Sequence, residues 1–307
     1  MNGIVTKSTG SWYLVKTEDH RIWQCRIKGK FRIQGIKSTN PIAVGDKVEI
    51  EVEDEQNSLG LIHKLFDREN YIVRKSINLS KQTHIIAANI DQALLVVTLA
   101  NPRTSFGFID RFLVTCEAYH IPTKLIFNKI DIYEVEDMEY LDEVCAMYES
   151  IGYPCLQTST LKNIGIENVR NLVKDKTSLI SGHSGVGKSS LINLLVPDLN
   201  LKTTEISDYS SKGVHTTTFA EMHDLPEGGE IIDTPGIREL GIVEIEEEEL
   251  SHYFPEMRAE LHNCKFNNCK HLNEPGCAIK KAVDESRISL IRYESYLSIL
   301  ANEDNRK

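Results

Sequence analysis

The chain of 307 residues contains no long hydrophobic run: its longest clean apolar stretch is ALLVVTLA, residues 93–100. A membrane-spanning helix needs about 20 such residues. The N-terminal MNGIVTKSTG carries no apolar h-region of the kind an export signal has. Both absences predict a soluble, cytoplasmic protein without membrane contact. The seven cysteines are odd in number, and without an export signal a disulfide framework is not expected. Cys25, Cys116, Cys145 and Cys155 stand among apolar residues and read as small core residues, which leaves Cys264, Cys269 and Cys277 to be explained. Positive charge is in deficit, with 35 Lys and Arg against 45 Asp and Glu and a net charge of −10. That balance excludes a protein that coats nucleic acid indiscriminately, because polyphosphate affinity comes from cations that neutralise phosphates. The deficit is not uniform. Residues 1–80 hold 13 Lys and Arg against 10 Asp and Glu, whereas EIEEEE at 244–249 concentrates acid and reads as a solvated helix face. Internal repeats and low-complexity linkers are also missing.

What is there falls into three rhythms, against a length prior of roughly 150 residues per domain. Residues 1–72 alternate apolar and polar, as in Val48, Ile50 and Val52 separated by Glu49 and Glu51, with Gly10, Gly29, Gly35 and Gly45 as punctuation. About five short strands in that length suit a small closed barrel such as an OB-fold, a scaffold used for oligonucleotides. An RNA-binding role for this unit is fold analogy, and Lys28, Lys30, Phe31 and Arg32 are its candidate contact patch. Residues 80–240 alternate strand and helix. ALLVVTLA, TKLIFN, PCLQTS and TSLISG read as strands, and 136–150 and 164–174 as helices. Phe108, Ile109, Phe112, Leu113, Cys116 and Tyr119 share one face of a further helix. The expectation is a doubly wound parallel α/β sheet. Residues 241–307 turn acidic, then Cys-rich, and end in a helical pattern with Ile288, Ile291, Tyr296 and Leu300.

Gly182-His183-Ser184-Gly185-Val186-Gly187-Lys188-Ser189, followed by Ser190, matches a phosphate-binding loop at every fixed position. It follows an apolar strand and opens a helix with Leu191, Ile192, Leu194 and Leu195. Glycines let backbone N–H groups converge on phosphates, Lys188 reaches the β- and γ-phosphates, and Ser189 offers a hydroxyl to Mg²⁺. Asp233-Thr234-Pro235-Gly236 ends another strand. There Asp233 can hold Mg²⁺ through water, and the Gly236 amide can meet a γ-phosphate as a switch.

Asn128-Lys129-Ile130-Asp131 ends the strand KLIF. The Asp131 carboxylate matches the N1–H and exocyclic amine of guanine, whereas adenine would leave it desolvated and unpaired. Lys129 can lie over the ring, Asn128 can tie this loop to the phosphate loop, and Ser159 is placed to bring its backbone N–H near guanine O6. In Ras-like proteins the phosphate loop comes first and NKxD follows DxxG. Here NKxD and the serine precede the phosphate loop, so the domain is circularly permuted. A parallel sheet tolerates this when the old termini can be joined. The chain then leaves the nucleotide domain just after the switch, and the region beyond 240 is tethered to the γ-phosphate sensor.

Cys264, Cys269, His271 and Cys277 form a C-x4-C-x-H-x5-C array. Three thiolates and an imidazole suit a closed, structural tetrahedral zinc site. Lys265, Lys270, Lys280 and Lys281 around it can either meet RNA phosphates or simply confer solubility.

With NKID, GHSGVGKSS, GVHTTT, DTPG and the cysteine cluster all in place, the sequence resembles the circularly permuted, ribosome small subunit-dependent GTPases of the RsgA (YjeQ) family over essentially its whole length. The resemblance implies an OB-fold, a permuted GTPase domain and a zinc domain. It also implies a monomeric GTPase, using Mg²⁺ with GTP or GDP, that binds the small ribosomal subunit and its rRNA and assists late subunit maturation. Ile237 stands where Ras-type proteins have the water-orienting glutamine. His215 is the nearest polar replacement, and the resemblance assigns it a catalytic role. Thr217 or Thr216 would complete the Mg²⁺ shell. A GTP-sensing RNA-binding protein without significant turnover is the alternative.

Overall fold

The computed structural model describes residues 1–28, 41–75, 83–199, 201, 220–234 and 245–301. Period-two apolar alternation builds β1 (Asn2–Ser8), β2 (Tyr13–Thr17), β3 (Ile22–Ile27), β4 (Lys47–Asp54) and β5 (Leu59–Leu65). They pair in the order β1-β2-β3-β5-β4, and β4 closes back on β1 through Asn2↔Glu49 and Gly3↔Val48. The inward residues, among them Val5, Tyr13, Val15, Trp23, Cys25, Val48, Ile50 and Ile62, fill the barrel. Asp46, fully buried, accepts two bonds of 2.6 Å from Arg68 and one of 2.8 Å from Ala43 N, and so locks the end of the barrel.

Next comes a two-stranded hairpin of β6 (Tyr71–Lys75) and β7 (Thr83–Ala88). Gly45 of the barrel lies against it with φ +88, and a Cβ there would sit 2.0 Å from Ala88 O, so only glycine fits. The α/β unit follows with β8 (Gln92–Val97), α1 (Phe106–Ala118), β9 (Thr123–Phe127), α2 (Val135–Ser150), β10 (Cys155–Gln157), α3 (Ile166–Val173) and β11 (Thr177–Gly182). It is completed by α4 (Lys188–Leu195), β12 (Glu221–Asp224) and β13 (Glu230–Asp233). Strands β10-β9-β8-β11-β13 run parallel. Residues of β8 alternate between two cores: Ala93, Leu95 and Val97 pack with α1 and α2, while Leu94 and Val96 pack with α3 and α4. Both faces are therefore covered, which is why this strand reads as an unbroken apolar run.

One strand departs from the all-parallel expectation. β12 is antiparallel to β13, and its outer edge receives β1 through Lys7↔Glu221, so barrel and α/β sheet form one eleven-stranded sheet. Lys7 pairs with Glu221 at 3.0 Å, and Lys16 pairs with Asp224 and with Glu230, the latter at 3.5 Å.

The C-terminal unit holds α5 (Pro255–Arg258), α6 (Ala278–Asp284) and α7 (Leu290–Leu300). Its core of Leu250, Phe254, Met257, Ile279, Ile288 and Tyr296 includes Val114 of α1, so this unit is docked on the nucleotide domain as well as tethered to it. Arg292, 1% exposed, lies at the centre of that contact. It donates to Asp110 Oδ1 at 2.5 Å and to Glu256 Oε1 at 2.7 Å, its guanidinium carbon lies 4.6 Å from the Phe254 ring, and Tyr148 OH donates to the same Asp110 oxygen at 2.9 Å. Within the acidic run, residues 245–249 take a turn in place of the expected helix, and Glu247 and Glu248 hold Lys270 at 2.9 and 3.5 Å.

Arg292→Ala strands a buried carboxylate at Asp110, so the unfolding free energy measured in urea should fall by about 3–5 kcal/mol. A loss below about 1 kcal/mol, the worth of a surface pair, would show that the contact is not the docking element.

Candidate functional site

The C-terminal ends of β8 and β11 mark the place where the strand order reverses, since β9 and β10 lie on one side of β8 and β11 and β13 on the other. Ligands of open α/β sheets bind in the crevice outside such a point. Residues 183–187 leave β11 here as a loop that ends at α4. Val186 is fully buried with Leu191, Ile192 and Leu195 and anchors the loop from below, while Ser184 and Gly185 stay exposed above. Gly187 has φ +94, and a Cβ on it would lie 2.2 Å from Asn128 Nδ2, so both its conformation and its neighbour require glycine. Lys188 opens α4, and its ammonium touches the Asp233 carboxylate and lies 3.1 Å from Thr234 O. Ser189 and Ser190 follow, half-buried, in the first turn of the helix. The ring of His183 lies 3.7 Å from that of Phe108 in α1.

The NKID turn leaves β9, beside β8. Asn128 is fully buried and bonded on every side. Its amide donates to Val186 O at 2.8 Å, its carbonyl oxygen accepts from Thr158 Oγ1 at 3.1 Å and Thr160 N at 3.2 Å, and its own N–H donates to Val97 O at 2.9 Å. Lys129 is left-handed (φ 65), which turns the chain into the short 3-10 segment Ile130–Ile132 and returns Asp131 toward the site. Its ammonium donates to Asn101 O at 2.6 Å, and burial pushes its pKa below the usual lysine value, with Asp131 opposing the shift. Ser159 is fully buried, and its hydroxyl donates to Asp131 Oδ1. Its backbone N–H, expected to face guanine O6, donates to Ile164 O at 3.0 Å in this structure, and its hydroxyl is the group that meets the Asp131 carboxylate. Asn128, Lys129, Ile130, Asp131, Ser159, the 182–190 loop and Asp233 thus gather at one end of the sheet. His215, Thr216, Thr217, Gly236 and Ile237 lie outside the described residues, as do Lys30, Phe31 and Arg32.

In the C-terminal unit the ligand atoms of Cys264, Cys269, His271 and Cys277 all lie within 4.8 Å of one another. His271 Nδ1 is 3.4 Å from Cys277 Sγ and 3.7 Å from Cys264 Sγ. Tetrahedral zinc with its usual bond lengths places nitrogen and sulfur ligands about 3.6 Å apart, so the four residues fit that metal. Burial pushes the His271 pKa below its ordinary value, favouring the neutral imidazole that ligates. Cys277 caps α6, its sulfur accepting from Lys280 N at 3.5 Å. Lys270 and Lys280 are engaged, Lys270 by the two glutamates and Lys280 by Leu272 O at 2.9 Å, so these two are not free phosphate contacts.

Several positioning groups escaped the motif reading. Thr158 and Thr160 flank Ser159 in TST and had a signal in that tripeptide. Glu274 lies inside the cysteine array, where its carboxylate accepts from Lys270 N and Leu272 N at 2.8 Å each. Tyr293 and Tyr296 hold the backbone carbonyls of His271 and Lys270 at 2.6 and 2.8 Å from a helix about twenty residues downstream, and no local pattern announces them.

With this geometry in place, comparison with known proteins is direct. Residues 65–243 match the RsgA GTPase family and residues 2–62 the RsgA N-terminal domain. A Bacteroides fragilis protein named small ribosomal subunit biogenesis GTPase RsgA is 54% identical over 307 residues, covering 100% of this chain and 98% of its own. The protein of the same name from Flavobacterium psychrophilum is 56% identical over 308 residues, covering 99% and 94%. Among solved structures, YjeQ from Thermotoga maritima aligns with a TM-score of 0.80 at 36% identity over 100% of this chain and 99% of that one. YloQ, described as a circularly permuted GTPase, aligns at 0.75 and 32% over 100% and 96%. A barrel matching the N-terminal domain, a nucleotide domain whose base loop precedes its phosphate loop, and relatives that share half their residues end to end lead to one conclusion: the chain belongs to the RsgA family of circularly permuted GTPases.

Proposed function

We propose that this chain is a GTP phosphohydrolase that binds the small ribosomal subunit and its rRNA, acts in late maturation of that subunit, and is switched on by it. The observation that carries this reading is the Asn128 carboxamide, which joins the base loop, the serine loop and the phosphate loop in one hydrogen-bonded unit. Asp131 reads guanine, with Lys129 over the ring and Ile130 completing the turn. The 182–190 loop receives the phosphates, with Lys188 moving from Asp233 to the β- and γ-phosphates when Mg²⁺–GTP enters. Ser189, Thr217 and Asp233 serve the Mg²⁺, Gly236 senses the γ-phosphate and His215 places the attacking water. Cys264, Cys269, His271 and Cys277 hold one structural zinc. The functional divisions are 1–72, 80–240 and 241–307, and the protein works as a monomer in the cytoplasm. No helix among the described residues is long and apolar enough to cross a membrane.

Multiple-turnover phosphate release with GTP, measured alone and with each ribosomal subunit, tests this reading. Stimulation is expected from the small subunit; equal stimulation by the large one would refute the partner. His215→Ala should retain GTP binding and lose about 10²- to 10⁴-fold of stimulated turnover, the usual worth of a positioned proton-transfer group. Full stimulated activity in that variant would remove His215 from the mechanism. Asp131→Asn should shift preference from guanine to xanthine nucleotides, read by competition binding.

Zinc should co-purify in stoichiometric amount. Because a structural site of this kind contributes on the order of 10 kcal/mol of apparent binding energy to folding, chelation or Cys269→Ala should unfold the C-terminal unit, seen as lost protection in hydrogen exchange. Unchanged protection after complete metal removal would contradict a structural zinc.

A further inference from the structure

The loop at 98–105, between β8 and α1, belongs to none of the nucleotide motifs, yet it lies against two of them. Asn101 O accepts from the Lys129 ammonium at 2.6 Å, and Pro102 Cδ lies 3.4 Å from where a Cβ on Gly185 would stand. A third contact joins this loop to the base turn. The hydroxyl of Tyr133 accepts from Leu99 N at 2.7 Å and donates to Asn128 O at 3.3 Å. The phenol is half-buried against the α1–α2 core, and burial pushes its pKa up, so it is a neutral O–H able to accept one bond and donate the other.

The position of Tyr133 in the turn gives this contact its meaning. Residues 128–133 form a tight loop: Lys129 is left-handed, Ile132 N bonds Lys129 O at 3.1 Å, and Tyr133 N bonds Ile130 O at 3.3 Å. Asn128 is fixed by its side chain at the start of the turn, and Tyr133 folds back to bond the carbonyl of that same residue from the end. The two bonds close the turn into a ring that contains Asp131 and anchor the ring to residues 98–105. Without the hydroxyl, Asn128 O and Leu99 N–H each lose a partner at a partly buried position, and an unmade bond of that kind is costly. We infer that Tyr133 is a positioning residue for guanine: it holds the turn that presents Asp131, and with residues 98–105 it forms a third wall of the base site. This deepens the guanine reading proposed above and rests on it.

Tyr133→Phe keeps the ring and removes only the clamp. The test measures GDP, IDP and ADP affinities of wild type and variant by competition against a fluorescent GDP analogue, together with the thermal midpoint. IDP lacks the exocyclic amine, so the GDP-to-IDP ratio reports the Asp131 contact itself. The ratio also cancels any loss of folded protein, since an inactive fraction lowers both affinities alike. The expected result is a GDP affinity about tenfold weaker, the usual worth of one hydrogen bond, a GDP-to-IDP preference several-fold lower, and KM for GTP raised more than kcat is lowered. A GDP-to-IDP ratio equal to that of wild type would overturn the inference, whatever happens to the thermal midpoint. If wild type bound GDP no better than ADP, the guanine reading would itself be wrong and this inference would fall with it.

Discussion

The carboxamide of Asn128 is the constraint on which the site depends. It is fully buried and bonds to the loops that follow β10 and β11, while its own loop follows β9. An unpaired buried amide costs about 1–3 kcal/mol, so the three loops are held in one relation or the side chain is left without partners. None of these bonds depends on the order in which the loops occur along the chain. That is the physical reason the base turn can precede the phosphate loop: the sheet fixes where the strands end, the carboxamide fixes how the loops meet, and the cut in the chain falls elsewhere.

Both flanking units touch the nucleotide domain, the barrel at its β12 edge and the C-terminal unit at α1. The barrel adds β1 to β12, the strand that pairs with the Asp233-bearing β13, and reinforces the edge with Lys7–Glu221, whose side chains are 35% and 31% exposed. A pair so open to water contributes about 0–1 kcal/mol; the less exposed Lys16, paired with Asp224 and Glu230, and the contact of Gly45 with Ala88 add to this joint. The C-terminal unit instead buries Arg292 between Asp110 and Glu256, at 1%, 0% and 5% side-chain exposure. Separating those groups would expose uncompensated charge, so this joint is stiff. Asp110 lies in α1, the same helix whose Phe108 packs at a tilt against His183 of the phosphate loop. Packed groups on α1 therefore connect the phosphate loop to the C-terminal unit, while the barrel reaches the site along the β12–β13 edge.

How much of this was legible in the sequence depends on whether the chemistry is local. The 182–189 loop, NKID and the cysteine array each place their reactive groups within a dozen or so consecutive residues, so spacing alone states the chemistry, and the inverted order of the first two states the permutation. The barrel and the parallel core were legible for the same reason, since period and apolar continuity are properties of single strands. Pairings between distant segments were not. Arg292 and Asp110 are 182 residues apart, and nothing near either residue marks it as buried. β12 is only EMHD, too short and too charged to read as the strand that joins two domains. The glutamates at 247 and 248 read as a solvated helix face because acid concentrates there, and their partner, Lys270, lies 23 residues beyond Glu247. Nor does the tripeptide TST announce that the Ser159 N–H is taken by Ile164, whose backbone closes that loop, and that its hydroxyl meets Asp131.

The cysteine array and the docking of the C-terminal unit meet on one helix. α7 carries Arg292, which faces α1, and directly after it Tyr293, whose hydroxyl holds His271 O; one turn on, Tyr296 holds Lys270 O and packs edge-on against Phe254 at 5.6 Å. Phe254 in turn is the ring beneath the Arg292 guanidinium. The ligand loop 264–277 has little core of its own beyond half-buried thiols and the buried His271 and Cys277, so its shape depends on the four ligands converging and on these two tyrosines. The same helix therefore bonds the ligand loop through Tyr293 and Tyr296 and α1 through Arg292. The ligand cluster is thus more than a local staple. Its loop is bonded to the helix that clamps the C-terminal unit to α1, and α1 in turn packs through Phe108 against His183 of the loop that receives the phosphates.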